Sequence, residues 1–157
     1  MGEIFIVPTP IGNLGDFTFR SKEVLNNVDK IYAEDTRISK KLLLKYEIST
    51  PLFSYHQHNE HKITENVIKN ILEYNISVAL ISDAGTPGIS DPGFLLVNVA
   101  KQNNIKVSCL PGATSIIPAL IQSGFATDEF SFYGFLPHKK GRKSKLLKIL
   151  LQPTTII

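Results

Sequence analysis

Residues 76–93 read ISVALISDAGTPGISDPG, and this stretch decides the fold. Its first part, Ile76–Ser82, is a continuous apolar run rich in β-branched residues, the composition of a strand covered on both faces in a parallel sheet. Its second part, DAGTPGISDPG (83–93), is too dense in glycine and proline for regular structure. A turn from strand to helix needs only about two to six residues, so this longer loop reads as a binding loop. Two other strand-like runs stop in the same way: Glu3–Val7 enters PTPIGNLGD (8–16), and Ile105–Leu110 enters PGATS (111–115). Open α/β sheets bind ligands beyond the carboxyl ends of their strands, so the three loops together read as the floor of a small-molecule site. Glycine lets main chain approach a ligand closely, and proline stiffens the turn.

The rest of the chain alternates. Helices are predicted over Phe17–Asn26, Thr36–Tyr46, Glu60–Glu73, Phe94–Gln102 and Ser115–Ser123. In the second of these Ile38, Leu42 and Tyr46 form the apolar stripe, with Leu43 alongside; in the third the stripe is Ile63, Val67, Ile68, Ile71 and Leu72. Asp91 and Pro92 suit the start of the fourth, and Pro118 bends or shortens the fifth. Lys30–Ala33, Leu52–Ser54 and Phe130–Phe135 read as further strands. Strand followed by helix, repeated, predicts an α/β fold with a mainly parallel sheet flanked by helices. The expected organisation is an N-terminal cofactor and substrate domain over residues 1–136, a linker over 137–142, and the start of a truncated second α/β domain over 143–157. That last piece holds a helix, Lys143–Leu151, then Pro153 and the apolar run TTII.

At 157 residues, 43% hydrophobic and 20% charged, the chain has an ordinary globular composition. A net charge of +3 is too small to require a polyanionic partner, but the positive charge is clustered. Arg37, Lys40, Lys41 and Lys45 form one group; Lys139, Lys140, Arg142, Lys143, Lys145 and Lys148 form another. The single cysteine, Cys109, excludes an intrachain disulfide and, inside an apolar strand run, is expected in the core. No apolar run reaches ~18 residues and the start lacks a basic-then-apolar leader, so a cytoplasmic protein without a membrane segment is expected.

Two nucleotide motifs fail. PTPIGN and its neighbours supply only Gly12 and Gly15 of a dinucleotide fingerprint, and no Gly-Lys-Ser/Thr occurs for a P-loop. In AEDTR, Glu34 and Asp35 alternate faces if extended, so either caps the next helix or acts alone, and Arg37 pairs with Asp35 or meets a phosphate. His56, His58 and His61 with Glu60 lack a nearby cysteine and a consistent ligand spacing, so no metal is expected there. HKKGRK reads as a solvated linker or as a phosphate-binding junction.

Taken in order, VPTPIGNLGD, AEDTR, SYHQHNE, SDAGTPGISDPG, LPGATS and GFLPHKKGRK resemble one signature set. It is that of the bacterial small-subunit ribosomal RNA methyltransferases that modify the 2′-O-ribose position of a cytidine, within the tetrapyrrole methylase superfamily. The resemblance runs from about residue 2 to residue 150. It implies S-adenosylmethionine as cofactor, bound between two α/β domains, a homodimer, and ribosomal RNA or the small subunit as partner. It places Pro10 against the cofactor, matches Asp83, Ala84, Gly85, Ile89 and Ser90 to the loop along its methionine and ribose parts, and makes Thr114 and Ser115 the third wall. The implied transfer to a ribose hydroxyl needs a proton acceptor, for which Glu34, Asp35, His56 and Glu60 are the candidates. Arg37, Lys139, Lys140 and Arg142 are the expected phosphate contacts. Because members of this family extend well beyond residue 157, the chain is expected to be a truncated form. Two alternatives stand beside this reading: a methylase of a tetrapyrrole or other small molecule, and a non-catalytic cofactor-binding or dimerisation fragment. A macrocycle would need an apolar cleft, whereas the basic junction favours nucleic acid.

Overall fold

A computed structural model of the chain describes residues 2–150 and 155–156. The chain divides into two compact units, Met1–Ala113 and Thr114–Ile157. The first unit contains β1 (Glu3–Ile6), α1 (Phe19–Asn27), β2 (Lys30–Ala33), α2 (Thr36–Lys45), β3 (Leu52–Ser54), α3 (Glu60–Tyr74), β4 (Val78–Ile81), α4 (Phe94–Gln102) and β5 (Lys106–Cys109). Its strands form one sheet in the order β3-β2-β4-β1-β5, and every pairing is parallel. The α/β architecture expected from the strand–helix alternation is therefore the one adopted.

The continuous apolar composition of β4 follows from its place at the centre. Val78 and Leu80 pack with Ile4, Ile6, Val67, Ile71 and Leu96 on one face; Ala79 and Ile81 pack with Val7, Leu25, Ile31 and Leu43 on the other. Successive residues of a strand point to opposite faces, so helices on both sides make every position of β4 a core position. Burying one such side chain contributes about 1.5–3 kcal/mol.

Three local expectations differ. Helix α2 buries Ser39 and Leu43, while Ile38 of the expected stripe is 46% exposed. A pair four residues apart faces the sheet, and the Ile38–Leu42 stripe is turned about one position away from it. Helix α4 is preceded by Gly93 at φ 143, so Asp91 is not its cap and Pro92 is not in its first turn; the chain enters through a backbone conformation open chiefly to glycine. Cys109 is exposed: β5 is the last strand in the sheet order, so its residues gain neighbours on one side only.

The second unit contains α5 (Ile116–Ser123), β6 (Phe130–Ser131), α6 (Lys140–Leu150) and β7 (Thr155–Ile156), with β6 and β7 parallel. Pro118 sits in the first turn of α5, where a missing N–H costs nothing, and the helix ends at Gly124 with φ 70. Helix α6 begins at Lys140, with Lys140, Gly141 and Arg142 in its first turn. Residues 151–154 and 157, including the expected helix end at Leu151 and Pro153, lie outside the described residues. Among the described residues no helix is long and apolar enough to cross a membrane.

Gly93 is the position where the fold leaves least room. A Cβ there would lie 2.9 Å from Leu80 Cδ2 of the central strand, at a φ of +143°. Gly93→Ala should lower unfolding stability by about 1–3 kcal/mol. Urea denaturation reads the change, and a midpoint equal to that of the parent would contradict it.

Candidate functional site

The loops after β1 and β4 are stitched together by main chain. Thr9 and Gly85 exchange two hydrogen bonds, each amide donating to the other's carbonyl at 2.9 Å. The buried Thr9 hydroxyl donates to Ser82 O at 3.0 Å, and Ser82 Oγ donates to Gly85 O at 3.0 Å. These hydroxyls satisfy one another's loop, which makes their burial affordable. Gly85 is held at φ +81, a conformation that favours glycine, and a Cβ there would sit in ordinary contact with Ile11 at 3.4 Å. The third loop joins the same junction: Thr86 Oγ1 donates to Ala113 O at 3.1 Å, and a Cβ on Gly112 would lie 2.8 Å from Pro8 Cβ. Thr114 and Ser115 belong to the second unit, where Thr114 Oγ1 accepts from the Ile116 amide at 3.4 Å and Ser115 precedes α5.

Carboxylates gather at the ends of β2 and β4. The Asp35 amide donates to Asp83 Oδ1 at 3.1 Å, tying the two strand ends. Burial, reinforced by the negative charges of Asp91, Asp83 and Asp35, raises the pKa of Glu34 above the usual carboxylate value. Asp91 is raised in the same way, by burial and then by Asp83. Asp35 moves in the opposite direction. Arg37 donates from Nε to Oδ1 at 3.0 Å and from Nη2 to Oδ2 at 2.6 Å, and its amide donates to Oδ1 at 2.8 Å. This fork lowers the Asp35 pKa to about 2. Asp35 is thus both the N-cap of α2 and the anchor of Arg37, which leaves it a weak proton acceptor at neutral pH.

His56 and Glu60 stand at the turn between β3 and α3, where main chain makes most of their bonds. The His56 amide donates to Asn59 Oδ1 at 2.8 Å, its Nδ1 accepts from the His58 amide at 3.2 Å, and Glu60 opens α3 with its amide on His56 O. They shape the turn between β3 and α3. Among the described residues, no three histidine, cysteine, aspartate or glutamate side chains are gathered as metal ligands.

Between the first loop and α2 lies a hollow of about 240 Å³. Pro10 and Leu14 form one side, Ile38 and Leu42 the other, with Asp83 and Lys41 also in its lining. The turn carrying Leu14 is anchored on α2 by the Tyr46 hydroxyl, which donates to Leu14 O, and Tyr46 packs its ring on Phe17 at 4.6 Å. Ser39 lies in the wall, and its hydroxyl oxygen is buried with no hydrogen-bond partner among the described residues.

Of the sequence-predicted residues, Pro10 and Asp83 meet at this hollow and Gly85 is bonded beside it. Ala84, Ile89 and Ser90 are exposed along the 83–93 loop, Ser90 at φ 61. Arg37 is exposed in the first unit; Lys139, Lys140 and Arg142 are exposed in the second, at the start of α6. The α2 face, Ile38, Ser39, Lys41 and Leu42, was not among the predicted site residues. Its signal was a serine placed at core spacing, four residues before Leu43, in an otherwise apolar and basic helix.

The profile of the family described as Tetrapyrrole (Corrin/Porphyrin) Methylases matches residues 3–157. A protein named Ribosomal RNA small subunit methyltransferase I from Synechocystis sp. is 52% identical over 97% of this chain and 54% of its own length. One of the same name from Vibrio cholerae is 51% identical over 98% of this chain and 54% of its own length. The chain thus spans about half the length of these relatives. In structure it is similar to uroporphyrin-III-C-methyltransferase from Thermus thermophilus, with a TM-score of 0.60 and 18% identity, over 84% of this chain and 59% of the other. A likeness at that identity concerns the fold. With its profile match reaching from the first strand to the last residue, this chain belongs to the tetrapyrrole methylase family.

Proposed function

We propose that this chain serves the S-adenosylmethionine-dependent methylation of a cytidine 2′-oxygen in small-subunit ribosomal RNA. The observation that carries the reading is the Thr9–Gly85 junction, which gathers Pro10, Asp83 and Gly85 at one ledge beyond the sheet. The names of relatives about half identical to it favour ribosomal RNA over a tetrapyrrole as the methyl acceptor. The proposed organisation remains 1–136, 137–142 and 143–157, with a homodimer as the assembly and the cytoplasm as the location.

The ledge suits such a donor. Gly12, at φ +145, has open space where a Cβ would stand, so main chain is presented without side-chain cover. Pro10, Asp83, Ala84, Gly85, Ile89 and Ser90, with Thr114 and Ser115, are the residues assigned to hold it. When bound, S-adenosylmethionine supplies an activated methyl group. The protein's remaining task is to orient the acceptor oxygen, worth up to ~7–11 kcal/mol in well-aligned cases, and to remove its proton.

Glu34 is the best-suited acceptor of that proton. It is half-buried, burial and the neighbouring carboxylates raise its pKa above the usual carboxylate value, and its carboxylate has no hydrogen bond or ion pair among the described residues. Asp35 acts through Arg37 as a positioning residue, whereas His56 and Glu60 lie at the β3–α3 turn, apart from the carboxylates gathered at the ends of β2 and β4. Arg37, Lys139, Lys140 and Arg142 are assigned to RNA phosphates.

Glu34→Gln in the full-length protein should slow methyl transfer to undermethylated small subunits by ~10²–10⁴-fold. Since the base must be ionised, activity should rise with pH through the raised Glu34 pKa, and this acid limb should vanish in the variant. Asp35→Asn should retain the limb; its loss there with retention in Glu34→Gln would assign the base to Asp35 instead. Separately, charge-neutral variants of Arg37, Lys139, Lys140 and Arg142 should each reduce the slope of log affinity against log salt for RNA by ~0.7–0.9. An unchanged slope would make these cations ordinary solvated surface.

A further inference from the structure

Helix α2 carries more than its share of unexplained features. Its Ile38–Leu42 edge faces a hollow instead of the core, and its Ser39 hydroxyl is buried without a partner among the described residues. Arg37, Lys40, Lys41 and Lys45 line its exposed side. On its other flank a second hollow, of about 490 Å³, includes Arg37 and Lys40 in its lining.

We propose that the hollow between the first loop and α2 receives the base of one RNA nucleotide turned out of its strand, with Ser39 reading the base edge. The proposal rests on the RNA reading above. Five observations carry it. The hollow, at about 240 Å³, is smaller than the ~300–1,000 Å³ sites of larger ligands and suits a single ring system. Pro10, Leu14, Ile38 and Leu42 offer apolar surfaces to the faces of a flat ring, as pockets for extruded bases do. A buried hydroxyl without a partner is costly unless a ligand completes it, and serine, turning about one bond, can donate to a ring nitrogen or carbonyl or accept from an exocyclic amine. Pro10 and Asp83 belong both to the hollow and to the donor ledge, so a ribose attached to the seated base would hang where the two meet. Finally, Lys41 at the hollow and Arg37 and Lys40 on the opposite flank put positive charge on both sides of α2, where the strand's phosphates would pass.

The test uses Ser39→Ala and Leu42→Phe in the full-length protein, the first removing the hydroxyl and the second filling the hollow. Three quantities are read: affinity for S-adenosylmethionine by calorimetry, equilibrium binding of short single-stranded oligoribonucleotides holding one cytidine or one uridine, and methyl transfer to undermethylated small subunits. Ser39→Ala should melt like the parent and bind the donor equally, yet lose about 3- to 10-fold in preference for the cytidine oligonucleotide, the worth of one hydrogen bond. Leu42→Phe should weaken both oligonucleotides and slow transfer, again with donor affinity intact. Weakened donor binding in either variant would assign the hollow to the cofactor and overturn the proposal. Parent-like oligonucleotide binding in both would overturn it as well. A parent protein that binds the oligonucleotides but transfers no methyl group would refute the functional reading alone, since the binding arm still decides the hollow.

Discussion

The reciprocal hydrogen bonds between Thr9 and Gly85 are the constraint on which the site depends. Parallel strands cannot be joined by a tight hairpin, so the loops at their carboxyl ends have no covalent reason to meet. Here two of them are paired as if the sheet ran one residue further in antiparallel sense. Thr9 and Ser82 then spend their hydroxyls inside the junction, which allows polar side chains to sit almost fully buried. The close packing of Gly112 on Pro8 brings the third loop to the same place. A ledge of main chain results, rigid because each loop is the partner of another.

Electrostatics divides the neighbouring carboxylates by role. Burial in a partly desolvated corner, reinforced by the negative charge of their carboxylate neighbours, holds a proton more tightly on Glu34 and Asp91. Asp35 escapes because a guanidinium satisfies both of its oxygens. Adjacent residues in the sequence thus differ in proton affinity because one is partly buried beside like charges and the other is paired with a guanidinium, the pattern by which acid–base roles are separated in a shared environment.

Much of the fold was legible because the signals were redundant. β4 announces itself by an unbroken apolar run, and both-face burial is the physical cause of that run. Asp35 at the start of α2 is a cap by composition and by structure. Other features had no sequence signal of sufficient strength. Periodicity locates α2 but does not say which of two apolar stripes meets the sheet, so Ile38 and Leu42 read as inward-facing and Ser39 does not stand out. Cys109 has the composition of a central strand residue, but strand order, which periodicity does not encode, places it at an edge. The Thr9–Gly85 pairing links positions far apart in the chain, and nothing local to either residue marks the other.

The Arg37–Asp35 fork has a further consequence. An arginine free in solvent samples many rotamers, and a partner that grips it must suppress nearly all of them. With Nε and Nη2 directed at Asp35, this side chain is biased toward one orientation while 88% of its surface stays open. Whatever anion meets its outward edge encounters a guanidinium already turned toward one bearing, and the loss of disorder on contact is reduced accordingly.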